Sequence, residues 1–167
     1  MKNTSRIRQF IDTILGYFLA VLMSAMVIDV VWGVISRFLL NNPSSFTDEL
    51  AGYLLIWVGL LGASLASGKG MHLAIDLLPR NLNPPARHKL QVVIEILISL
   101  FAIGILIIGG LRLVYITLKL GQNSPSLGLP VGYVYMVLPL SGILILYYSI
   151  DNIYRHLTYE AENNNDE

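Results

Sequence analysis

The sequence contains no cysteine among its 167 residues. This absence excludes disulfide bonds, iron–sulfur clusters and thiolate zinc sites. Charged residues are also scarce, at 13% of the chain, whereas hydrophobic residues make up 54%. So small a polar fraction cannot coat a soluble globule of this size, and a formal net charge of zero argues against binding to nucleic acid. The composition therefore predicts an integral membrane protein.

Motifs for catalysis or cofactor binding are missing as well. The sequence has no His-Glu-x-x-His zinc motif, no Gly-x-Ser-x-Gly nucleophile motif and no phosphate-binding glycine loop. Its three histidines, His72, His88 and His156, fall outside the apolar stretches, whereas a membrane haem needs axial ligands that face each other within a bundle. We therefore expect a protein that is not an enzyme and that holds no cofactor.

Four long apolar stretches are present instead, at residues 13–39, 50–67, 92–114 and 131–150. Each is close to the roughly 20 residues that a helix needs to cross a hydrocarbon core. Because backbone amides in lipid must pair internally, they predict an all-α fold of four transmembrane helices. The first stretch is too long for a signal peptide and has no Ala-x-Ala site after it, so we expect it to remain as an anchor. Residues 1–157 are predicted to form one domain, and residues 158–167 an acidic disordered tail.

The positive charges are distributed unevenly around these stretches. Eight of the 11 Lys and Arg residues lie before the first stretch, between the second and third, or after the fourth. By the positive-inside rule both termini are then cytoplasmic. The segment 68–91 mixes apolar and polar residues before Pro84, which indicates a short interfacial segment between helices two and three. The external loop 121–130 is uncharged, and we expect it to pack on protein.

Asp29 is a carboxylate inside the first apolar stretch. A charge at that depth costs roughly 2.5 to 3.5 kcal/mol on insertion scales, so it needs a partner or a function. Arg112, at a similar depth on the third helix, is the best partner within the chain. An ion or proton site, a structural ion pair and a contact with another subunit all remain open, although one carboxylate makes a poor ion cage.

The external turn 41–48 joins the first two helices and carries charges at both of its ends. Thr47 or Asp48 is suited to cap the second helix. Arg37 and Glu49 flank the turn, where they can pair with each other, or Arg37 can reach lipid phosphate instead. Farther along, Pro139 predicts a kink in the fourth helix.

Small residues recur at four-residue spacing on the first two helices. Such spacing lets membrane helices approach closely, either within the chain or against a partner. The positions are Gly16, Ala20 and Ser24, then Gly59, Ala63 and Ser67, and beside them Gly62, Ala66 and Gly70.

Several short motifs follow one another in a fixed order along residues 5–155. The first half contains Arg37-Phe38, Phe46-Thr47-Asp48-Glu49-Leu50-Ala51, Trp57, Gly62-Ala63, Lys69 and Met71-His72-Leu73-Ala74-Ile75-Asp76. The second half contains Ser124-Pro125-Ser126-Leu127-Gly128-Leu129-Pro130, then Tyr135 and Pro139. Their order and spacing resemble the small permease subunit of tripartite ATP-independent periplasmic (TRAP) transporters, the DctQ-like family, and its sialic-acid members in particular. Phe46 stands where that family often has tryptophan, and keeps the aromatic character.

The resemblance implies a subunit of a sodium-driven importer in a bacterial inner membrane. In that family a periplasmic binding protein captures an organic anion, such as sialic acid or a dicarboxylate. A separate large permease subunit carries the substrate and the sodium on a moving domain. The resemblance thus implies that this chain is a static scaffold that holds no sodium, and the absence of an inverted repeat in the sequence agrees.

Contacts with partners can be assigned on the same basis. Asp29, Arg37, Glu49 and Arg112 are candidates for the subunit interface or for structural ion pairs. Asp48 and Glu49 are expected to meet basic residues of the binding protein. A positive inner segment is expected to contact anionic lipid, through Lys69, His72, Arg80, Arg87 and Lys89.

Two other functions fit the same residues. One is a stand-alone four-helix exporter that works as a homodimer, with Asp29 as its proton-coupled carboxylate. The other is an assembly or regulatory factor for a different membrane complex. An exporter would function when expressed alone, and an assembly factor would purify with something other than a large transport subunit.

Overall fold

The computed structural model of the chain describes residues 6–40, 42, 44–69 and 84–163. All the regular elements within these residues are helices. They are α1 (Arg6–Phe38), α2 (Ser45–Gly68), α3 (Pro84–Phe101), a π-helical segment (Ala102–Gly109), α4 (Gly110–Lys119), α5 (Val131–Tyr135) and α6 (Val137–Asn163). Since α3, the π-helical segment and α4 follow one another without a gap, they form one continuous third span.

Four spans in this structure are long and apolar enough to cross a membrane. They are Arg8–Phe38, Ser45–Gly68, Leu90–Lys119 and Val131–Tyr154. The predicted all-α fold with four transmembrane helices is thereby confirmed. The 33 residues of α1 give a length of about 50 Å. This exceeds a hydrocarbon core of about 30 Å, so the helix must tilt or project beyond the core.

The four spans alternate in direction and give the bundle two different ends. We call the end with the loops 39–44 and 120–130 the loop end, and the opposite end, where α1 begins and α6 finishes, the terminal end. The last helix extends to Asn163, so the backbone of residues 158–163 is helical where we expected a disordered tail. The predicted interfacial segment falls mostly on residues 70–83, which lie outside the described residues.

Helix α2 begins earlier than its apolar stretch suggests. Ser44 is the N-cap, with an extended backbone and no side-chain hydrogen bond to the helix. The expected capping by Thr47 or Asp48 is therefore wrong. Thr47 lies inside the first turn, where its Oγ1 donates a hydrogen bond to the Ser44 carbonyl oxygen at 2.8 Å. Asp48 also lies in the first turn, where a negative charge is favourable to the helix dipole.

Helix α6 is the central element of the bundle. It packs against α2 on one side and against α3 and the π-helical segment on the other, while α1 packs on α2. Two apolar clusters fill these contacts. The first consists of Leu15, Leu19, Leu61 and Val137. The second consists of Ala102, Leu106 and Ile145.

Glycines allow the third span to approach α6 closely. A Cβ added at Gly142 would lie 2.8 Å from Leu106 Cβ, and one at Gly110 would lie 2.9 Å from Leu138 Cβ. Only glycine fits such separations without a shift of the neighbouring helix. By contrast, the space beside Gly16, Gly59 and Gly62 contains no atom within 4 Å. These three glycines of the spacing pattern therefore do not mediate packing among the described residues, and the fourth, Gly70, lies outside them.

The fourth span is interrupted at Met136, between α5 and α6. Proline at position 139 has no N–H to donate to the carbonyl of residue 135, and its ring crowds that carbonyl. The predicted distortion before Pro139 is thus confirmed. Beside the interruption, the indole Nε1 of Trp57 donates a hydrogen bond to the Val134 carbonyl oxygen at 3.1 Å. This bond joins α2 to the fourth span.

Candidate functional site

At the loop end, Arg37 closes the turn between α1 and α2. Its Nη2 lies 3.2 Å from Asp48 Oδ2, so the two side chains form an ion pair and a hydrogen bond. Both remain accessible, with 54% and 77% of their side chains exposed. The residue that pairs with Arg37 is thus Asp48, where we had expected Glu49. The two acids are adjacent on α2 and point about 100° apart, so only one of them can face α1.

Glu49 instead joins α2 to the loop 120–130. Its Oε1 accepts a hydrogen bond from the Tyr53 hydroxyl at 2.8 Å. Its Oε2 accepts one from the backbone N–H of Ser126 at 2.9 Å. The carboxylate therefore fixes the loop 120–130 against the start of α2 and is less available to a partner than Asp48.

The loop 120–130 also holds itself together. The backbone N–H of Ser124 donates to the Leu129 carbonyl, and that of Gly128 donates to the Ser124 carbonyl, both at 2.9 Å. Gly128 has a φ of +66°, a conformation that favours glycine. Ser124 is 3% exposed, and its Oγ accepts a hydrogen bond from the Leu127 N–H at 3.0 Å. As expected, this uncharged loop packs on protein.

Asp29 lies on the inner face of α1 and is 7% exposed. Its Oδ2 is buried and has no hydrogen-bond partner among the described residues. The expected ion pair with Arg112 does not form, because the ion pairs within the described ranges are Arg8–Asp151 and Arg37–Asp48. The physical reason is the order of packing. Helix α1 contacts α2, whereas Arg112 lies on α4, which packs with α5, α6 and the π-helical segment.

Arg112 is exposed on the outer surface of α4. Lys119, seven residues later, is also exposed, and its Nζ lies 5.9 Å from the centre of the Tyr115 ring. Within the described part of the chain, Arg112 takes part in no ion pair. The structure thus places Arg112 on the outer surface and Asp29 in the interior.

At the terminal end, a buried polar network joins all four spans. We call it the terminal cluster; its members are Arg8, Asp12, Glu95, Tyr148, Ser149, Asp151 and Asn152. Arg8 is 9% exposed, and its guanidinium donates hydrogen bonds to the Asp151 carboxylate and to the Gly68 carbonyl oxygen. It also donates to Asn152 Oδ1 at 3.3 Å. One arginine thereby connects α1, the end of α2 and α6.

Glu95 brings the third span into the terminal cluster. It is 6% exposed, and its Oε2 accepts a hydrogen bond from Ser149 Oγ at 2.7 Å. Its Oε1 accepts one from Asn152 Nδ2 at 2.9 Å. The same Nδ2 lies 3.3 Å from the Ser67 carbonyl oxygen at the end of α2. Asn152 therefore touches one group from each of the other three spans.

Tyr148 packs at the centre of the terminal cluster and is fully buried. Its hydroxyl donates a hydrogen bond to Asp12 Oδ1 at 2.5 Å. The guanidinium carbon of Arg8 lies 5.7 Å from the centre of its ring. Gly68 leaves room for the ring, since a Cβ added there would lie 2.6 Å from Tyr148 Cε1.

The residues expected to contact inner lipid are only partly described. Lys69 is exposed directly after α2. Arg87 and Lys89 lie on α3, and their side chains are outside the described residues, as are His72 and Arg80 altogether. Lipid contact by this set stays a prediction.

The terminal cluster is the polar site that our sequence analysis missed. Glu95 carried a readable signal, because it is a carboxylate inside the third apolar stretch, as Asp29 is in the first. Arg8 was counted only as a positive charge outside the membrane. Within the described ranges, no three His, Asp or Glu side chains come together in a way that could hold a metal ion. The hydrogen bonds of the cluster hold the helices together.

Comparison with known proteins gives the same family as the motifs. The family model described as "Tripartite ATP-independent periplasmic transporters, DctQ component" matches residues 26–158. A putative TRAP transporter small permease protein of Haemophilus influenzae is 30% identical over 136 residues, which cover 81% of this chain and 83% of the relative. The sialic acid TRAP transporter small permease protein SiaQ of Vibrio cholerae is 31% identical over 138 residues (78% and 79%). The ectoine TRAP transporter small permease protein TeaB of Halomonas elongata is 28% identical over 151 residues (86% and 78%).

The family match covers most of the chain and includes all of α2, the third span and the fourth span. The relatives named above are transporter subunits, and four apolar helices fit a membrane-embedded subunit. The chain therefore belongs to the DctQ family of small permease subunits of TRAP transporters, and is a multi-pass protein of the bacterial inner membrane.

Proposed function

We propose that this chain is the static scaffold subunit of a sodium-coupled, binding-protein-dependent importer of organic anions. In this proposal a large permease subunit carries the substrate and the sodium ion, and a periplasmic binding protein delivers the substrate. This chain performs no chemistry, so it is not an enzyme. Sialic acid is the favoured substrate because of the relative named for it, with a dicarboxylate as the alternative.

One observation carries the scaffold role. The terminal cluster joins all four spans through buried hydrogen bonds, and Asn152 alone touches a group from each of the other three. A buried polar network whose members are paired makes a bundle rigid, because any relative movement of the helices would leave a polar group unpaired in lipid. Transport by this chain itself would require such movement. Rigidity therefore favours a subunit that stays in place while its partner moves.

A static subunit can support a neighbouring subunit that moves. A transport domain that slides through the bilayer tends to tilt its own support and to deform the lipid around it. Four helices, one of them about 50 Å long, widen that support and resist tilting. Positive side chains at the cytoplasmic end, among them Lys69, would add attraction to anionic lipid.

The loop end supplies the surface for the binding protein in this proposal. The structure refines which acid is available there. Asp48 is exposed beside Arg37, whereas Glu49 is engaged by Tyr53 and the Ser126 N–H. We propose that Asp48 meets a basic residue of the binding protein, and that Glu49 holds the neighbouring loop in the shape that this partner recognises.

Reconstitution in proteoliposomes tests the proposal. Uptake of labelled sialic acid is measured with the large subunit, the binding protein and this chain, and then with each component left out in turn. We expect uptake only with all three and only with an inward sodium gradient. Transport by this chain alone would establish the exporter alternative and overturn the proposal. If the chain instead purified with a protein other than a large permease subunit, an assembly factor would be favoured.

A further inference from the structure

Arg112 is a charged side chain in an unfavourable place. It lies seven residues before the end of the third span at Lys119, so at 1.5 Å per residue it is about 10 Å deeper in the membrane. Its side chain is exposed on the outside of the bundle and has no ion-pair partner within the described residues. A cation on a lipid-facing surface at that depth requires a partner.

Lipid headgroups at the loop end are poorly placed to be that partner. Every Cα–Cβ bond in an α-helix tilts toward the N-terminus of the helix. Helix α4 runs toward the loop end, so this tilt directs the start of the Arg112 side chain away from the nearest headgroups and toward the middle of the membrane. Lys119 has no such difficulty, because it lies at the end of the span beside the ring of Tyr115.

The surface around Arg112 is suited to another helix. Ile108 and Tyr115, one turn before and one turn after Arg112, are 61% and 64% exposed. Gly109, which lies on the same surface, is also exposed, and an added Cβ there would meet only the Gly104 carbonyl oxygen, at 3.7 Å. A small residue flanked by exposed apolar side chains permits close approach of a second helix. We call Ile108, Gly109, Arg112 and Tyr115 the Arg112 surface.

We propose that the Arg112 surface binds a membrane helix of the large permease subunit, and that this helix carries an aspartate or glutamate level with Arg112. This inference rests on the proposed function, which supplies the large subunit. It goes beyond that function by assigning the side of the bundle that faces the large subunit and the charge that the large subunit presents there. Charge complementarity identifies the partner group, since a carboxylate within the membrane satisfies an arginine that cannot readily reach water.

Co-purification with the cognate large subunit tests the inference. We expect Arg112→Glu to reduce the amount of large subunit that purifies with the chain at least tenfold, because two carboxylates would then face each other. Arg112→Lys should retain part of the association. Lys119→Glu is the matched control, as it makes the same charge reversal on the same helix at the level of the headgroups, and should change the yield less than twofold. A normal yield of the large subunit with Arg112→Glu would overturn the inference, even if that variant bound less phospholipid.

Photocrosslinking gives a second test. It leaves Arg112 in place, so its result does not depend on whether the charge variant folds. A photoreactive amino acid at position 108 or 115 should form an adduct with the large subunit in the purified complex. Adducts with lipid only, or with a second copy of this chain, would overturn the inference. Failure of the wild-type chain to purify with a large subunit would contradict the proposed function itself, so the two failures are distinguishable.

Discussion

Arg8 and Asp151, which are 143 residues apart in the sequence, form an ion pair that ties the first helix to the last. The same guanidinium also binds the carbonyl oxygen of Gly68 at the end of α2. Arg8 therefore stabilises the meeting point of three spans. Because its hydrogen bonds form in only one arrangement of the helices, this contact helps to fix which helices meet and in which register.

Replacing Arg8 with alanine should destabilise the bundle. The substitution leaves the Asp151 carboxylate and the Gly68 carbonyl without this donor in a largely buried site. We expect a loss of about 2 to 4 kcal/mol, somewhat less than for a fully buried pair because 22% of the Asp151 side chain is exposed. Thermal unfolding in detergent, followed by tryptophan fluorescence, measures the effect. Arg6→Ala removes the same charge from an exposed site two residues earlier and should have little effect; equal losses would contradict a specific role for Arg8.

Glu95 should contribute through its two hydrogen bonds. In Glu95→Ala the Ser149 hydroxyl and the Asn152 amide both lose an acceptor in the interior, which costs about 1 to 3 kcal/mol. Glu95→Gln keeps one acceptor oxygen and should cost less than the alanine variant. The same unfolding assay compares the two. If glutamine proves as harmful as alanine, the hydrogen bonds are not the reason that Glu95 stabilises the bundle.

The two neighbouring acids on α2 should behave differently. Glu49→Ala removes the acceptor for the Ser126 N–H, so hydrogen exchange in the loop 120–130 should become faster, by an order of magnitude at Ser126. Asp48→Ala is the matched control, because it breaks only the exposed pair with Arg37 and should leave that loop protected. Hydrogen–deuterium exchange mass spectrometry of peptides spanning the loop provides the measurement. Faster exchange in both variants would argue against Glu49 as the specific anchor.

Glycine substitutions should separate internal packing from outer surfaces. In Gly68→Ala the new Cβ would lie 2.6 Å from Tyr148 Cε1, and we expect destabilisation by about 1 to 3 kcal/mol. Gly59→Ala lies on the same helix with no atom within 4 Å and should be neutral or slightly stabilising in the isolated chain. Unfolding temperatures of the two purified variants test this difference. Similar losses would mean that the helices around Gly68 have room to adjust.

The spans could be predicted from the sequence because membrane insertion depends on the hydropathy of each segment by itself. The contacts between the spans could not. Arg37 had two acids within reach, and the choice between Asp48 and Glu49 depends on where α2 begins and on how it is rotated. The hydropathy of a span does not show how the helix is rotated about its own axis, because each span is apolar on most of its circumference.

Asp29 and Glu95 illustrate the same limit. Both are buried carboxylates within apolar stretches, yet Glu95 has donors on α6 and Asp29 Oδ2 has none among the described residues. The predicted pairing of Arg112 with Asp29 relied on their similar depth in the membrane. The sequence gives the depth of a residue along its helix, but it does not show which helices lie side by side. The packing order of the helices separates them. The π-helical segment likewise had no sequence signal beyond its two glycines, Gly104 and Gly109.

The central claim is that this chain stays rigid while the transporter works, and cross-linking its own helices tests that claim most directly. Because the chain has no native cysteine, two introduced cysteines are the only ones in it. A Cβ built at Gly33 lies 3.3 Å from Thr47 Cβ, close to the roughly 3.8 Å of a disulfide, so Gly33→Cys with Thr47→Cys should join α1 to α2. The pair is compared with its two single variants.

The measurement is sodium-driven uptake by the reconstituted complex before and after oxidation of the pair, with mass spectrometry to establish that the disulfide has formed. We predict that uptake by the oxidised complex stays within about twofold of that by the reduced complex, because α1 and α2 do not have to move against each other. Loss of uptake on oxidation, with recovery on reduction and no such effect in the single variants, would contradict it.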